Sequence, residues 1–250
     1  MALATSFAPW AKLSSAAEQI SKQMRQVEEA GLLQQAAACF AAAADAGNEA
    51  ETTWRLYVVQ VRRSYRLGAH EAVSRLLSLQ NTSPRALLYS LCAKAQTGFE
   101  EKTDEASLAL FHEAQPLAHS LGEVEVSFWL LSRLANNNAL LNRPQPAVDA
   151  ARLCAAIIDT VPRTYLTIGS VLNAGAALEL CGHVGEAQTV MHWVERAFRE
   201  WDDPAGVADV QGFEKARHHV VGGDGDHRID DLALGVVAAH ARVELVRHAD

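Results

Sequence analysis

Small and apolar residues recur along this chain at positions i, i+4 and i+7, the spacing that gathers three side chains on one face of an α-helix. The triplets are Ala36/Phe40/Ala43, Ala72/Leu76/Leu79, Ser107/Phe111/Ala114, Ala147/Ala151/Cys154 and Ala187/Met191/Val194. Their first members lie 36, 35, 40 and 40 residues apart by subtraction. A period in that range belongs to stacked helix pairs, each too small to bury its own apolar face.

In the clearest unit, Val171, Ala174, Gly175 and Leu178 form the packing stripe of a first helix. The chain turns at Cys181-Gly182-His183, and Glu186 and Ala187 open the second helix. Ser83-Pro84 and Asp203-Pro204 each place a capping side chain before a proline suited to a first helical turn. Asn142-Arg143-Pro144 interrupts one pattern before the next begins. Together these signals predict helices over 9–28, 32–46, 49–67, 69–80, 84–97, 103–120, 123–141, 144–160, 163–181, 184–201, 204–221 and 229–248. Val220-Val221-Gly222-Gly223-Asp224-Gly225-Asp226 is a loop-forming run between the last two. No segment sustains the period-two alternation of a strand.

Composition narrows the class. Hydrophobic residues make up 49% of the 250, with 6% aromatic; much of the apolar content is alanine, which favours helices and lets them approach closely. The 30 acidic residues outnumber 22 basic ones, for a formal charge of −8. That balance lacks the positive footprint of a duplex-binding surface, so no nucleic-acid partner is expected. No stretch of about 18 uncharged apolar residues occurs, and Met1–Trp10 has no basic segment leading into an apolar one. The expectation is therefore no membrane partner and a cytoplasmic location. Cys39, Cys92, Cys154 and Cys181 are far apart and sit within apolar helical patterns, which reads as buried thiols in a reducing compartment.

The small-apolar-small signature of the second helix, best kept at Ala36/Phe40/Ala43 and Ser107/Phe111/Ala114, resembles that of the tetratricopeptide repeat (TPR) family. The resemblance spans about residues 10–200. The first-helix glycine survives at Gly175 alone, the units drift toward 40 residues, and no proline closes each repeat; in this the chain is similar to the longer, degenerate repeats of bacterial signalling proteins. The resemblance implies an all-α fold: a right-handed α-α superhelix, or solenoid, of about six antiparallel helix hairpins. It would form one domain over 1–250, with the hairpin 204–250 as a cap or a signal-transmitting element.

A curved array of hairpins lines its concave side with first-helix residues that packing does not use. On the helix predicted at 123–141, Leu131, Leu134 and Asn138 continue the packing stripe, and Trp129, Arg133 and Asn136 share a neighbouring face. Equivalent places are Tyr89 and Gln96 on one adjacent unit and Asn173 on the other. An aromatic, an arginine and amides suit a peptide backbone. These six residues are the candidate partner-binding strip, with Trp129 and Tyr89 as anchors; the competing reading makes Trp129 a filler between repeats. The stripe Trp54, Val58, Val61 and Tyr65 is apolar throughout and is assigned to the core.

Asp224, Asp226, His227, His218 and His219 carry metal-ligating groups, but without the spacing of a calcium loop or a zinc site, and they are read as a connector. Histidines 70, 112, 119, 183 and 192 are scattered near turns and are read as surface residues. No serine, cysteine or histidine lies on a strand-to-helix elbow, and no glycine-rich loop follows a strand. The expected function is a non-catalytic adaptor or regulator that binds a protein or peptide, with no cofactor and no metal. The alternative comes from Ala241–Asp250, which resembles the helix leading into a diguanylate cyclase domain. It implies the sensory or regulatory input region of such a signalling protein, with the C-terminal helices as a homodimer contact.

Overall fold

The computed structural model describes residues 8–63, 65–101, 105–201, 207 and 210. Among them the chain is all-helical, with no strand: α1 (Ala8–Ala42), α2 (Ala46–Arg62), α3 (Arg66–Leu79), α4 (Pro84–Glu101), α5 (Glu105–Ser120), α6 (Val124–Leu140), α7 (Pro144–Ile157), α8 (Tyr165–Leu180) and α9 (Val184–Glu200). A single 3-10 turn, Ile158–Thr160, extends α7. The boundary between two compact units falls at Ala93/Lys94, inside α4.

Local chemistry explains most boundaries. Ser83 Oγ accepts a hydrogen bond from the Ala86 amide at 3.1 Å, so Ser83 caps α4 and Pro84 opens it, as the sequence predicts. Asp45 caps α2 by accepting from the Asn48 amide at 3.2 Å. Thr164 does the same for α8 through the Thr167 amide at 3.1 Å. Helices α1, α5, α6 and α8 close in one way: the chain turns through a left-handed residue, and the amide just after it bonds back five residues, as in Asp45 to Phe40 and His183 to Leu178. The left-handed residues are Ala44, Gly122, Asn142 and Gly182.

Two expectations for the first unit change. The helices predicted at 9–28 and 32–46 are one continuous helix, α1, which runs through Gly31. An interior glycine costs about 1 kcal/mol relative to alanine, and the alanine-rich segment after it offsets that cost. The triplet on this helix is also not core: Ala36 and Phe40 are half-buried and Ala43 is exposed. The neighbour of α1 in the first unit is α2, which covers one side of it. Cys39 is accordingly exposed, contrary to the expectation for all four thiols, and Cys181 is half-buried; Cys92 and Cys154 are buried. Burial pushes the Cys154 thiol up to about 12 and raises that of Cys92 further.

The other triplets are core without exception: Ala72/Leu76/Leu79, Ser107/Phe111/Ala114, Ala147/Ala151/Cys154 and Ala187/Met191/Val194 are all buried. In the second unit α6 packs against α5, α7 and α8, and α8 packs against α7 and α9. A Cβ on Gly175 would stand 2.7 Å from Met191 Cε, so a side chain there would push aside the flexible end of Met191 on α9. Trp54 is buried and stacks on Tyr57 at 5.3 Å. Val58 and Val61 are half-buried and Tyr65 is exposed. Tyr65 leaves the predicted stripe because α2 ends at Arg62.

A second set of spacings, invisible in the hydrophobic pattern, appears in polar pairs 34 to 39 residues apart within each unit. Arg85 reaches Asn48 across 37 residues and Glu51 across 34. Arg143 pairs with Glu105 across 38, Arg152 with Glu186 across 34, and Arg163 with Glu200 across 37. The Thr164 hydroxyl donates to Glu125 across 39, and Trp193 Nε1 donates to Asp159 across 34. Exposed pairs of this kind contribute about 0–1 kcal/mol each. They hold together residues, most of them at helix ends and turns, that are one to three elements apart in the chain.

Candidate partner-binding site

Helix α6 carries an unusual run for a helix enclosed by three others. Val126, Phe128, Leu130, Leu131, Leu134 and Ala135 pack as expected, yet Ser132, Asn136, Asn137 and Asn138 are buried among them. A buried side-chain amide costs free energy unless its carbonyl and NH2 find partners. Ser132 Oγ donates to the Trp129 carbonyl at 2.7 Å, and Asn138 Nδ2 donates to the Leu134 carbonyl at 2.8 Å. Both satisfy their donors on the helix's own backbone.

Asn136 and Asn137 do not. Asn137 is 0% exposed, and among the described residues neither its Oδ1 nor its Nδ2 has a hydrogen-bond partner. Asn136 is 5% exposed with its Oδ1 likewise unpartnered. The Asn136 carbonyl oxygen and both polar atoms of Asn137 are closed off from solvent as well as unpartnered, so each is polar capacity left unused inside the unit.

The six residues of the expected strip fare differently. Trp129 is 3% exposed and meets Phe111 edge to face at 5.8 Å. Tyr89 is 2% exposed and lies tilted against Trp54 at 6.2 Å. These two aromatics therefore pack inside their units and do not project as anchors; for Trp129 the filler reading describes its place. The physical reason is that α6 has neighbours on three sides, so the face next to its packing stripe is also covered. Gln96 is buried as well. Arg133 is half-buried with its guanidinium 5.6 Å from the centre of the Trp129 ring, a cation–π contact that joins two members of the strip. Asn173 is half-buried on α8, the helix packed directly against α6. Tyr89 belongs to the first unit and the other five residues to the second.

Sequence reasoning placed Asn136 in the strip but missed Asn137. Three consecutive asparagines in an otherwise apolar helix were the available signal, since at about 100° per residue they span about 200° of a helix and Asn138 already falls on the packing stripe with Leu131 and Leu134.

Of the histidines, His70, His112, His119 and His192 are exposed and His183 is half-buried. His183 Nδ1 lies 2.9 Å from Glu186 Oε1, beside the two-pronged Arg152–Glu186 pair at 2.8 and 2.7 Å. The Arg152 guanidinium, and then His183, hold the Glu186 carboxyl down to about 2. Among the described residues no helix is long and apolar enough to cross a membrane, and no group of three or more His, Cys, Asp or Glu is placed to hold a metal ion. The Asp224/Asp226/His227 connector with His218 and His219, the Asp203-Pro204 cap, the helices predicted at 204–221 and 229–248, and the C-terminal segment 241–250 lie outside the described residues. Comparison of the chain with protein families, with curated proteins and with solved structures gave no match.

Proposed function

We propose that this protein is a non-catalytic helical-repeat module of TPR-like, right-handed solenoid form that binds an extended peptide segment of a partner protein. The repeat reading is supported by the buried triplets and by polar contacts that recur at separations of 34 to 39 residues. The binding reading rests on one observation: Arg133 and Asn173 keep part of their side chains at the surface on two helices packed against each other, and one helical turn from Arg133 lies Asn136, whose buried carbonyl oxygen has no donor among the described residues. An extended peptide offers its backbone carbonyl to the Arg133 guanidinium and its backbone N–H to the Asn173 amide, and bonds Asn136 when the side chains that cover it give way. Amides that already lack a partner make the bond without first giving one up, which lowers the cost of binding.

The test is selection of peptides from a random display library on the full chain, followed by fluorescence anisotropy with the selected sequences. Asn136→Ala combined with Asn173→Ala is expected to weaken binding by at least about tenfold, near 1.4 kcal/mol, with helicity by circular dichroism unchanged. A library that yields no saturable binder, or binders indifferent to the double substitution, would overturn the reading.

A further inference from the structure

The first unit contains a cleft of about 260 Å³, bordered by α1, α2 and α3 and independent of the α6 face. Its α1 wall is Gln34 and three alanines, Ala37, Ala38 and Ala41, the last three too short to fill the space opposite α3. Leu56 and Ala72 add apolar surface. Gln34, Glu49, Thr53, Glu71 and Arg75 supply the polar part.

Glu49 is the informative residue. It is 4% exposed, yet it is a carboxylate that lines an open cleft. Arg75 does not use it fully: Nε donates to Glu49 Oε1 at 2.6 Å, and the second guanidinium nitrogen pairs with the same Oε1. A fork-to-fork pair would engage both oxygens. Here Oε2 accepts no hydrogen bond among the described residues, although it belongs to a nearly buried acid. Oε2 keeps accessible surface in the cleft, so a ligand's donor can reach it without displacing Arg75. Glu71 adds a second carboxylate to the lining, so Glu49, Glu71 and Arg75 together leave one negative charge over an apolar wall.

We infer that this cleft binds an alkylammonium group, with the ammonium on Glu49 Oε2 and its hydrocarbon stem against Ala38, Ala41 and Leu56. The charge balance selects a cation. A charge-assisted N–H···O bond to the open oxygen satisfies the acceptor that Arg75 leaves free. The volume lies below the roughly 300–1,000 Å³ of pockets for drug-sized ligands, which fits a stem of a few carbons. Such a group comes either from a free amine or from a lysine side chain of a peptide.

Isothermal titration calorimetry of the full chain tests this with n-hexylammonium chloride, and with hexan-1-ol and sodium hexanoate as uncharged and anionic counterparts. Saturable one-to-one heat is expected for the amine and not for the other two. Glu49→Gln should weaken it at least about tenfold. Because Glu49 also holds Arg75, Ala41→Leu provides a second variant that occupies the cleft and leaves the ion pair in place; it should weaken binding as much. Nα-acetyl-lysine N-methylamide then assigns the source, a peptide lysine if it binds and a free amine if it does not. No saturable heat up to about 10 mM amine, well above the Kd of a millimolar site, would overturn the inference. So would equal binding of hexanoate, or amine binding untouched by Ala41→Leu. The α6 peptide assay is unaffected by either variant, so failure here leaves that reading intact.

Discussion

Replacing Asn137 by alanine should make the protein more stable, while the same change at its neighbour Asn138 should not. Asn137 is fully buried with both amide atoms unpartnered among the described residues. Leaving a buried polar group unsatisfied costs about 1–3 kcal/mol, which the substitution recovers. Against this, removing roughly 25 Å³ of side chain leaves a small cavity worth about 0.6 kcal/mol at 24 cal/mol per Å³. Alanine's better helix propensity returns about 0.5 kcal/mol, so the two smaller effects nearly cancel. The net expectation is a gain of about 1–3 kcal/mol, equivalent to roughly 2–4 °C in Tm per kcal/mol for a chain of this size. Asn138 donates to the Leu134 carbonyl at 2.8 Å, so Asn138→Ala forfeits a bond worth about 0.5–1.5 kcal/mol and is neutral to mildly destabilising. Urea denaturation followed by far-ultraviolet circular dichroism measures both, with unchanged m-values as the check that only stability has moved. A fall of about 1 kcal/mol or more for Asn137→Ala would refute the reasoning, because it would mean that the amide is satisfied in the folded protein.

Two further outcomes follow from the turns and the charges. Ala44 sits at φ 57°, a left-handed conformation that costs a non-glycine residue about 1–2 kcal/mol; Ala44→Gly should therefore raise the urea midpoint, whereas Gly182→Ala, at φ 83°, should lower it by a similar amount. Glu186 has its carboxyl held down to about 2 from an ordinary 4.5, first by Arg152 and then by His183. A depressed folded pKa contributes stability that is complete above the unfolded value and lost as pH falls through the folded one. The stability deficit of Glu186→Gln relative to the parent should thus be present at pH 7, shrink between pH 4.5 and 2, and diminish with added salt because the pair is exposed. Thermal melts at several pH values check this, and a deficit that grows on acidification would contradict the assignment.

The parts of this fold that can be read in the sequence are those set by local rules. Ser83-Pro84 and Asn142-Arg143-Pro144 mark helix starts because caps and prolines act on their own backbone. The triplets from Ala72 onward are legible because a second helix enclosed by neighbours must present small residues wherever another helix crosses it. Ala36/Phe40/Ala43 carries the same letters and is not core, since burial depends on whether a neighbour covers the face, and α1 is covered on one side by α2. The same dependence, with opposite sign, misplaced Trp129 and Tyr89: their faces look free on an isolated helix and are closed by other elements. Polar chemistry is hidden more deeply still. Glu49 becomes a half-used acceptor because Arg75, 26 residues away, approaches one of its oxygens and not the other. Asn136 and Asn137 become unsatisfied amides because α5, α7 and α8 enclose the helix that carries them. In this all-helical chain the hydrophobic period writes the packing into the sequence, while an incompletely paired group arises where a polar residue departs from that period and its neighbours leave it without a partner. Departures from that period, such as three consecutive asparagines in a packing helix, are for that reason where the proposed binding chemistry is to be tested first.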